Sequence, residues 1–239
     1  MFKNSDRRSI GVIGAMAEEI NALKASLTDS RSVTISGREF IFGQLFGMNV
    51  AAAMSGIGKV NAAVCTEAMI LLFHPDMIVN AGVGGSLDRE LGIGAAAIAD
   101  SVVQHDMDLV PLGYEAGFID GLDKVYIPCE KSGQALLEKA AEEAGIKHKR
   151  GVIASGDSFI NDSASKKAIA DSFGAIVCEM EGASVGHVCA LNDVPFCILR
   201  TVSDSGDESS NDDFAASLET SAKAAHDILT GFLKLYSEC

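Results

Sequence analysis

The sequence predicts an α/β fold in which one mixed, twisted β-sheet is covered by helices on both faces, an α/β/α sandwich. Three observations carry this reading. Short runs that are apolar without alternation recur along the chain, as in strands buried on both sides. These runs end at glycine-bearing turns and lead into segments with helical spacing of apolar residues. The 239 residues include 24 glycines but only 4 prolines, a mix that in apolar surroundings suits tight strand-to-helix turns rather than loose linkers. Hydrophobic residues make up 48% of the chain, which supports a large core and excludes disorder.

Taken in order, residues 10–13 form an apolar run ending at Gly14, and Ile20, Leu23 and Leu27 then lie on one helical face. Residues 33–54 alternate and turn at Gly37 and Gly47, an antiparallel meander. MSGIGKV (54–60) opens a helix that is apolar nearly all round and is expected to be buried. MIVNAGVGG (77–85) and residues 94–103 read as strands, and 104–127, with Pro111, Gly113, Gly117 and Gly121, as irregular. An amphipathic helix follows over 136–144, with Gly145 just beyond its C-cap. Residues 151–161 give a strand and turn, and 164–173 a short helix. A strand at 176–178 runs into a helix with Met180, Ala183, His187, Val188 and Leu191 on one side. The last buried strand spans 196–202. A terminal helix starts from an Asp212 cap and turns Phe214, Leu218, Ala225, Leu229, Phe232 and Tyr236 inward. With no linker or internal repeat, residues 1–239 read as one domain, with 1–8 as a flexible N-terminus.

Acidic residues outnumber Lys and Arg by 33 to 19, a net charge of −14, and no basic run occurs. A nucleic-acid partner is therefore excluded. MFKNSDRRS is too polar for a signal peptide, and the most apolar helical stretch, 60–73, contains Glu67 and is too short to span a bilayer. No CxxC pair occurs among the six cysteines, which read as reduced core thiols in a cytoplasmic protein. The five histidines show no metal-ligand spacing, and no dinucleotide, P-loop or nucleophile-elbow motif is present, so no metal or organic cofactor is expected.

In such folds ligands bind beyond the carboxyl ends of the strands. Four strand ends carry carboxylates or glycines. At GVIGAMAEEI, Glu18 and Glu19 either compensate a helix dipole or serve a site. NAGVGG (80–85) either packs a tight turn or lets a ligand approach the backbone. In CEMEGAS (178–184), Glu179 and Glu181 flank Met180, on a helix turn or on one shared face. In RTVSDSGDESSNDD (200–213), Arg200 and Asp204 end an apolar strand, where a buried charge needs a partner. The acids after them read as a solvated mobile loop.

Together IGVIGAMAEEI, SGIGKVNAA, IVNAGVGGSL, GVIASGDSFI, CEMEGASVGHVC and ILRTVSDSGD resemble the 5′-methylthioadenosine/S-adenosylhomocysteine nucleosidase family, within the wider nucleoside phosphorylase superfamily. The segments occur in family order over most of the chain. The resemblance implies a nucleoside phosphorylase-like sandwich, commonly a homodimer, that hydrolyses an N-glycosidic bond and releases adenine. By resemblance Glu19 activates water, Asp204 hydrogen-bonds and helps protonate the purine, and Glu181 binds the ribose hydroxyls. Met180, Phe159 and Ile160 line the nucleoside pocket, with Met16 and Gly84 also at the substrate. Ser203 and Arg200 neighbour the catalytic aspartate and the attacking water. Val83 stands where better-known members carry a serine. Leu112 and Tyr114 correspond to the region that lines the 5′-substituent pocket of the neighbouring subunit. The roles suit the chemistry, since an oxocarbenium-like sugar and a purine leaving group call for a base, an acid and a carboxylate at the sugar. Three other readings stand beside this one. They are a phosphorolytic relative, a hydrolase of another adenosine derivative such as aminodeoxyfutalosine, and a nucleoside-binding sensor without chemistry.

Overall fold

The computed structural model describes residues 7–239. The expected flexible segment therefore lies outside the described residues, except for Arg7 and Arg8. Both make side-chain hydrogen bonds, Arg7 to Gln44 at 2.8 Å and Arg8 to the Tyr236 carbonyl at 3.2 Å.

The chain alternates strands and helices. It begins with β1 (Ser9–Gly14) and α1 (Ala17–Ser26), followed by the meander β2 (Thr28–Ile35), β3 (Arg38–Leu45) and β4 (Met48–Met54). Next come α2 (Lys59–Phe73), β5 (Met77–Ser86), β6 (Ala96–Gln104), a 3₁₀ turn at Val110–Leu112, and the short β7 (Ile127–Pro128). The rest is α3 (Lys131–Glu143), β8 (His148–Ser155), α4 (Ser163–Phe173), β9 (Ala175–Glu179), α5 (Gly182–Leu191), β10 (Phe196–Asp204) and the long α6 (Ser210–Glu238).

The sheet is mixed. Strands β2, β3, β4, β1 and β5 lie side by side, antiparallel through the meander and parallel from β4 through β1 to β5. Beyond β5 the sheet closes on itself. β5 pairs with β10, β10 with β6, β6 with β8, β8 with β9, and β9 returns to β5. One edge of β5 is thus split. Its residues 77–80 pair with β1, its residues 85–86 pair with β9, and the stretch between faces neither strand. That split is where the candidate site forms.

Period-two alternation sends successive side chains to opposite faces. Ile10 and Val12 of β1 and Cys197 and Leu199 of β10 join Ile20 and Leu23 of α1, Leu137 of α3, and Ile228, Leu229 and Phe232 of α6. Ile13, Ile78 and Ile198 face the other way, onto Cys65 and Met69 of α2 and Ala183, Val185 and Cys189 of α5. The expected layering on both faces is present, and Gly145 follows α3 in the left-handed region at φ 67°.

Four details differ from the sequence reading. α2 is not buried all round, because Val60 and Leu71 are 74% and 61% exposed and Val64 lies beside them. On α5 the buried side carries Ala183, Val185 and Cys189, while Leu191 is exposed; Met180 lies before the helix. The cap of α6 is Ser209, with Asp212 and Asp213 in its first turn, where acids favour the helix dipole. The segment after Asp204 leaves its acids at the surface, as expected, but it is a short turn in which they are hydrogen-bonded. Asp207 accepts from Ser209, Glu208 accepts from Ser163, and Lys166 donates to the Ser205 carbonyl.

Phe232 is fully buried and stacks on Tyr236 at 5.8 Å between ring centroids. Phe232→Ala is expected to lower unfolding free energy by about 3–5 kcal/mol, read from urea unfolding of the variant against the parent chain.

Candidate active site

A pocket partly open to solvent lies at the carboxyl ends of β1, β5, β9 and β10. Its position follows the rule for α/β sheets. Glu19 enters it from the first turn of α1. The N-cap is Met16, which has no oxygen to offer, so the glutamate three residues on reaches back to the free N–H groups. One carboxylate oxygen accepts from the N–H of Ala15 at 2.6 Å and of Met16 at 2.9 Å. The other accepts from the N–H of Val83 at 3.0 Å, in the split edge of β5. Burial raises the Glu19 pKa, against the pull of Arg200 and the three backbone donors.

Behind the pocket wall lies a wholly buried cation. Arg200, on β10, donates to the carbonyl of Leu199 at 2.9 Å and to the side-chain and main-chain oxygens of Asn80 at 2.5 and 3.3 Å. It makes a close ion pair with Glu179 and stands 3.8 Å from Glu181. Burial opposes the guanidinium charge, but Glu179, Glu181 and Glu19 together hold its pKa above the ordinary arginine value. Its Nε has no partner among the described residues. Glu181 is the N-cap residue of α5, and its carboxylate accepts from the N–H of Gly58 at 2.8 Å. Gly58 sits at φ 99°, a conformation glycine adopts without strain, and so turns that N–H inward. Burial and the neighbouring Glu179 push the Glu181 pKa up to about 8, with Arg200 opposing.

Asp204 ends β10 beside Gly85. It accepts from the Ser203 hydroxyl at 2.8 Å and from the N–H of Gly206 at 2.9 Å. Glu19 and Asp204 are anchored against β5 two residues apart, at Val83 and Gly85, about 7 Å along a strand. Phe159 and Phe214 meet edge to face at 5.7 Å over the pocket, and Met180, Ile160 and Val83 complete an apolar wall. Met16, Gly84 and Ser203 also line it. The Cys178 thiol in the wall is pushed up to about 12 by burial and by Asp204, and stays neutral.

The chain matches the family described as the phosphorylase superfamily over residues 9–234. A 5′-methylthioadenosine/S-adenosylhomocysteine nucleosidase of Shewanella loihica is 38% identical over 218 residues, 91% of this chain and 94% of that one. This chain belongs to that nucleosidase family. A relative of the same description from Geobacillus thermodenitrificans is 37% identical over 93% of this chain and 94% of its own. Among solved structures, the futalosine hydrolase of Helicobacter pylori superposes with a TM-score of 0.92 at 37% identity, covering 96% of this chain and 99% of that one. The Neisseria meningitidis nucleosidase in complex with methylthio-immucillin-A superposes at 0.93 with 31% identity, covering 95% and 99%.

Measured against the nucleosidase motifs, the structure gathers Glu19, Glu181, Asp204, Met180, Phe159, Ile160, Ser203, Val83, Gly84 and Met16 around one pocket. Arg200 does not line it and stands behind its carboxylates. Leu112 and Tyr114 are 72% and 45% exposed, outside the pocket of their own chain. Of the two readings of the β5 glycines, close packing is visible directly, and Gly84 and Gly85 also line the pocket. A Cβ at Gly82 would stand 2.5 Å from the Glu19 carboxylate, one at Gly84 would meet Val177, and one at Gly85 would meet Asp204 at 2.8 Å. They clear room for the protein's own acids and for β9. Sequence reasoning passed over Glu179 as a site residue, although the spacing of CEMEG had paired it with Glu181, and over Phe214, which it had turned into the core. It also missed Ile57 and Ser158. Among the described residues no group of three His, Cys, Asp or Glu could hold a metal ion.

The raised Glu181 pKa has a consequence for stability. Between the ordinary glutamate value and about 8 the folded chain holds a proton that the unfolded chain releases. This group's contribution therefore falls as pH rises through that window. Glu181→Gln is expected to flatten the decline in unfolding free energy between about pH 5 and pH 8, measured by urea titration at both ends.

Proposed function

We propose that this protein hydrolyses the N-glycosidic bond of 5′-methylthioadenosine or S-adenosylhomocysteine and releases adenine. The observation that carries the reading is the lining of the pocket. Among the described residues it holds four carboxylates, Glu19, Glu179, Glu181 and Asp204, and no Lys, Arg or His. A phosphorolytic enzyme must hold an anionic phosphate beside the sugar, usually with cationic side chains. Here the nearest described cation, Arg200, is buried and engaged, so water suits the site and phosphate does not.

In this reading Glu19 is the base. Burial raises its affinity for a proton while three main-chain donors fix its oxygens, so it takes a proton from water at the sugar. All three donors are backbone groups, so Val83 in place of a serine leaves the anchoring of Glu19 intact. Asp204, fixed by Ser203 and Gly206, gives a proton to the departing purine. Glu181 binds the ribose hydroxyls and, in its ionised form, favours the positive charge that develops on the sugar. Phe159, Phe214, Ile160 and Met180 hold the base and the 5′-thio substituent by apolar contact, and Met16 and Gly84 complete that wall. A second reading, hydrolysis of aminodeoxyfutalosine, has its own support in the likeness to the Helicobacter pylori futalosine hydrolase.

We assign the whole of residues 1–239 to one nucleoside phosphorylase-like domain of a cytoplasmic enzyme in methionine salvage. Among the described residues no helix is long and apolar enough to cross a membrane. The protein works as a homodimer. Val64 and Leu71 of α2 and Val188 of α5 share an apolar groove on the surface. Exposed Ile57, just before α2, lines the nucleoside pocket. A second copy on this face covers the groove, and its Leu112 and Tyr114 face the 5′ substituent.

Purified protein is expected to release free adenine from methylthioadenosine in phosphate-free buffer. Glu19→Gln and Asp204→Asn are each expected to lower kcat by about 10²–10⁴-fold. 5-Methylthioribose 1-phosphate formation that requires phosphate, or near-normal turnover by either variant, would reject the assignment. Val64→Glu combined with Leu71→Glu is expected to convert the dimer to monomer in sedimentation velocity, with KM raised. A parent chain that sediments as a monomer would remove the dimer from the proposal.

A further inference from the structure

The two glutamates of CEMEG meet the same arginine on unequal terms. Glu179 has four donors. Its Oε1 takes the Ser155 hydroxyl, and its Oε2 takes Arg200 Nη2 and the N–H groups of Glu181 at 3.0 Å and Gly182 at 2.7 Å. The Ser155 oxygen is itself fixed by the N–H of Ala183 at 2.7 Å. These donors come from β8, β10 and the start of α5, so Glu179 is held from three sides. Among the described residues Glu181 accepts a hydrogen bond on one oxygen only, from Gly58, and its Oε2 makes a looser ion pair with Arg200 Nη2 at 3.8 Å, beyond hydrogen-bond distance.

We propose that Glu179 is a positioning residue that engages Arg200 and keeps it off Glu181, leaving the second oxygen of Glu181 free to accept a sugar hydroxyl. The assignment of that sugar contact rests on the nucleosidase reading above; the restraint on Arg200 does not. One cation serves three buried carboxylates, and whichever carboxylate touches it loses that valence for a ligand. The charged groups that face Glu181 are Glu179 from β9, Arg200 from β10 and Glu19 from α1. Removing the Glu179 charge withdraws a repulsion and releases a guanidinium at once. Both changes favour ionised Glu181, and the released guanidinium then closes on the oxygen that the sugar would use.

The test is Glu179→Gln in the full chain, read in two ways. First, NMR titration of protein labelled with ¹³C at the glutamate side-chain carboxyl, with the Glu181 signal assigned through Glu181→Gln, is expected to show the Glu181 midpoint lowered by at least about one pH unit, tenfold in proton affinity. This readout needs no turnover. Second, with methylthioadenosine, KM is expected to rise about tenfold while kcat changes less than about threefold, the split expected when binding rather than the reaction step is disturbed. If the Gln variant does not fold, Glu179→Asp draws the carboxylate back from Arg200 while keeping its charge, and is expected to shift both readings in the same direction by less. An unchanged Glu181 midpoint in the folded variant overturns the proposal, as does a fall in kcat with KM unmoved. A parent chain that releases no adenine rejects the nucleosidase reading alone, because the titration still decides the restraint.

Discussion

The architecture of the site depends on one guanidinium. Among the described residues Arg200 is the cation that engages these buried glutamates, in contact with Glu179, 3.8 Å from Glu181 and electrostatically coupled to Glu19. Without it three carboxylates from three different elements would repel one another in a space that excludes most water, where an unpaired charge costs several kcal/mol. The arginine is in turn held by Asn80, whose side-chain amide also donates to the carbonyl of Ile13 at 2.8 Å. The charge at the centre is thereby tied to β1, β5, β9 and β10, the strands that bound the pocket.

The split edge of β5 explains why acids gather at this point. A strand that is paired along both edges has no N–H to offer a side chain. Between its partners β1 and β9, β5 is left open for a few residues, and the N–H of Val83 points at Glu19. The glycines of the same stretch also answer to space, since Glu19, Val177 and Asp204 occupy the directions their side chains would take. Sheet topology, backbone donors and residue size agree in one place.

Much of the fold was legible because it rests on local pattern. The meander, the continuous apolar strands and the α1 face of Ile20 and Leu23 stand where periodicity puts them. The exposed faces of α2 and α5 were not, because hydrophobicity states that a surface needs covering and not what covers it, so Val64 and Leu71 read as core. Among the site residues, acidic strand ends at Glu18 and Glu19, at Glu179 and Glu181, and at Asp204 were legible from pattern, and the family resemblance picked Glu19, Glu181 and Asp204 from them. The dominance of Glu179 could not, because its four donors arrive from Ser155, Arg200, Glu181 and Gly182, and the first two are far off in sequence. Arg200 was legible as a charge in need of a partner, and its removal from the pocket lining was not, since that depends on Asn80 lying opposite.

The ring of five strands sets an order in time. β10 is the last strand made, and it inserts between β5 and β6 to close the ring. It also carries both Arg200 and Asp204. A ribosome releasing this chain from its first residue onward has already exposed Glu19, Glu179 and Glu181 before their counter-charge exists. The pocket and its charge balance are therefore complete only when β10 is seated between β5 and β6. Such long sequence separations slow folding, and they make this enzyme's activity a report on the completeness of its sheet.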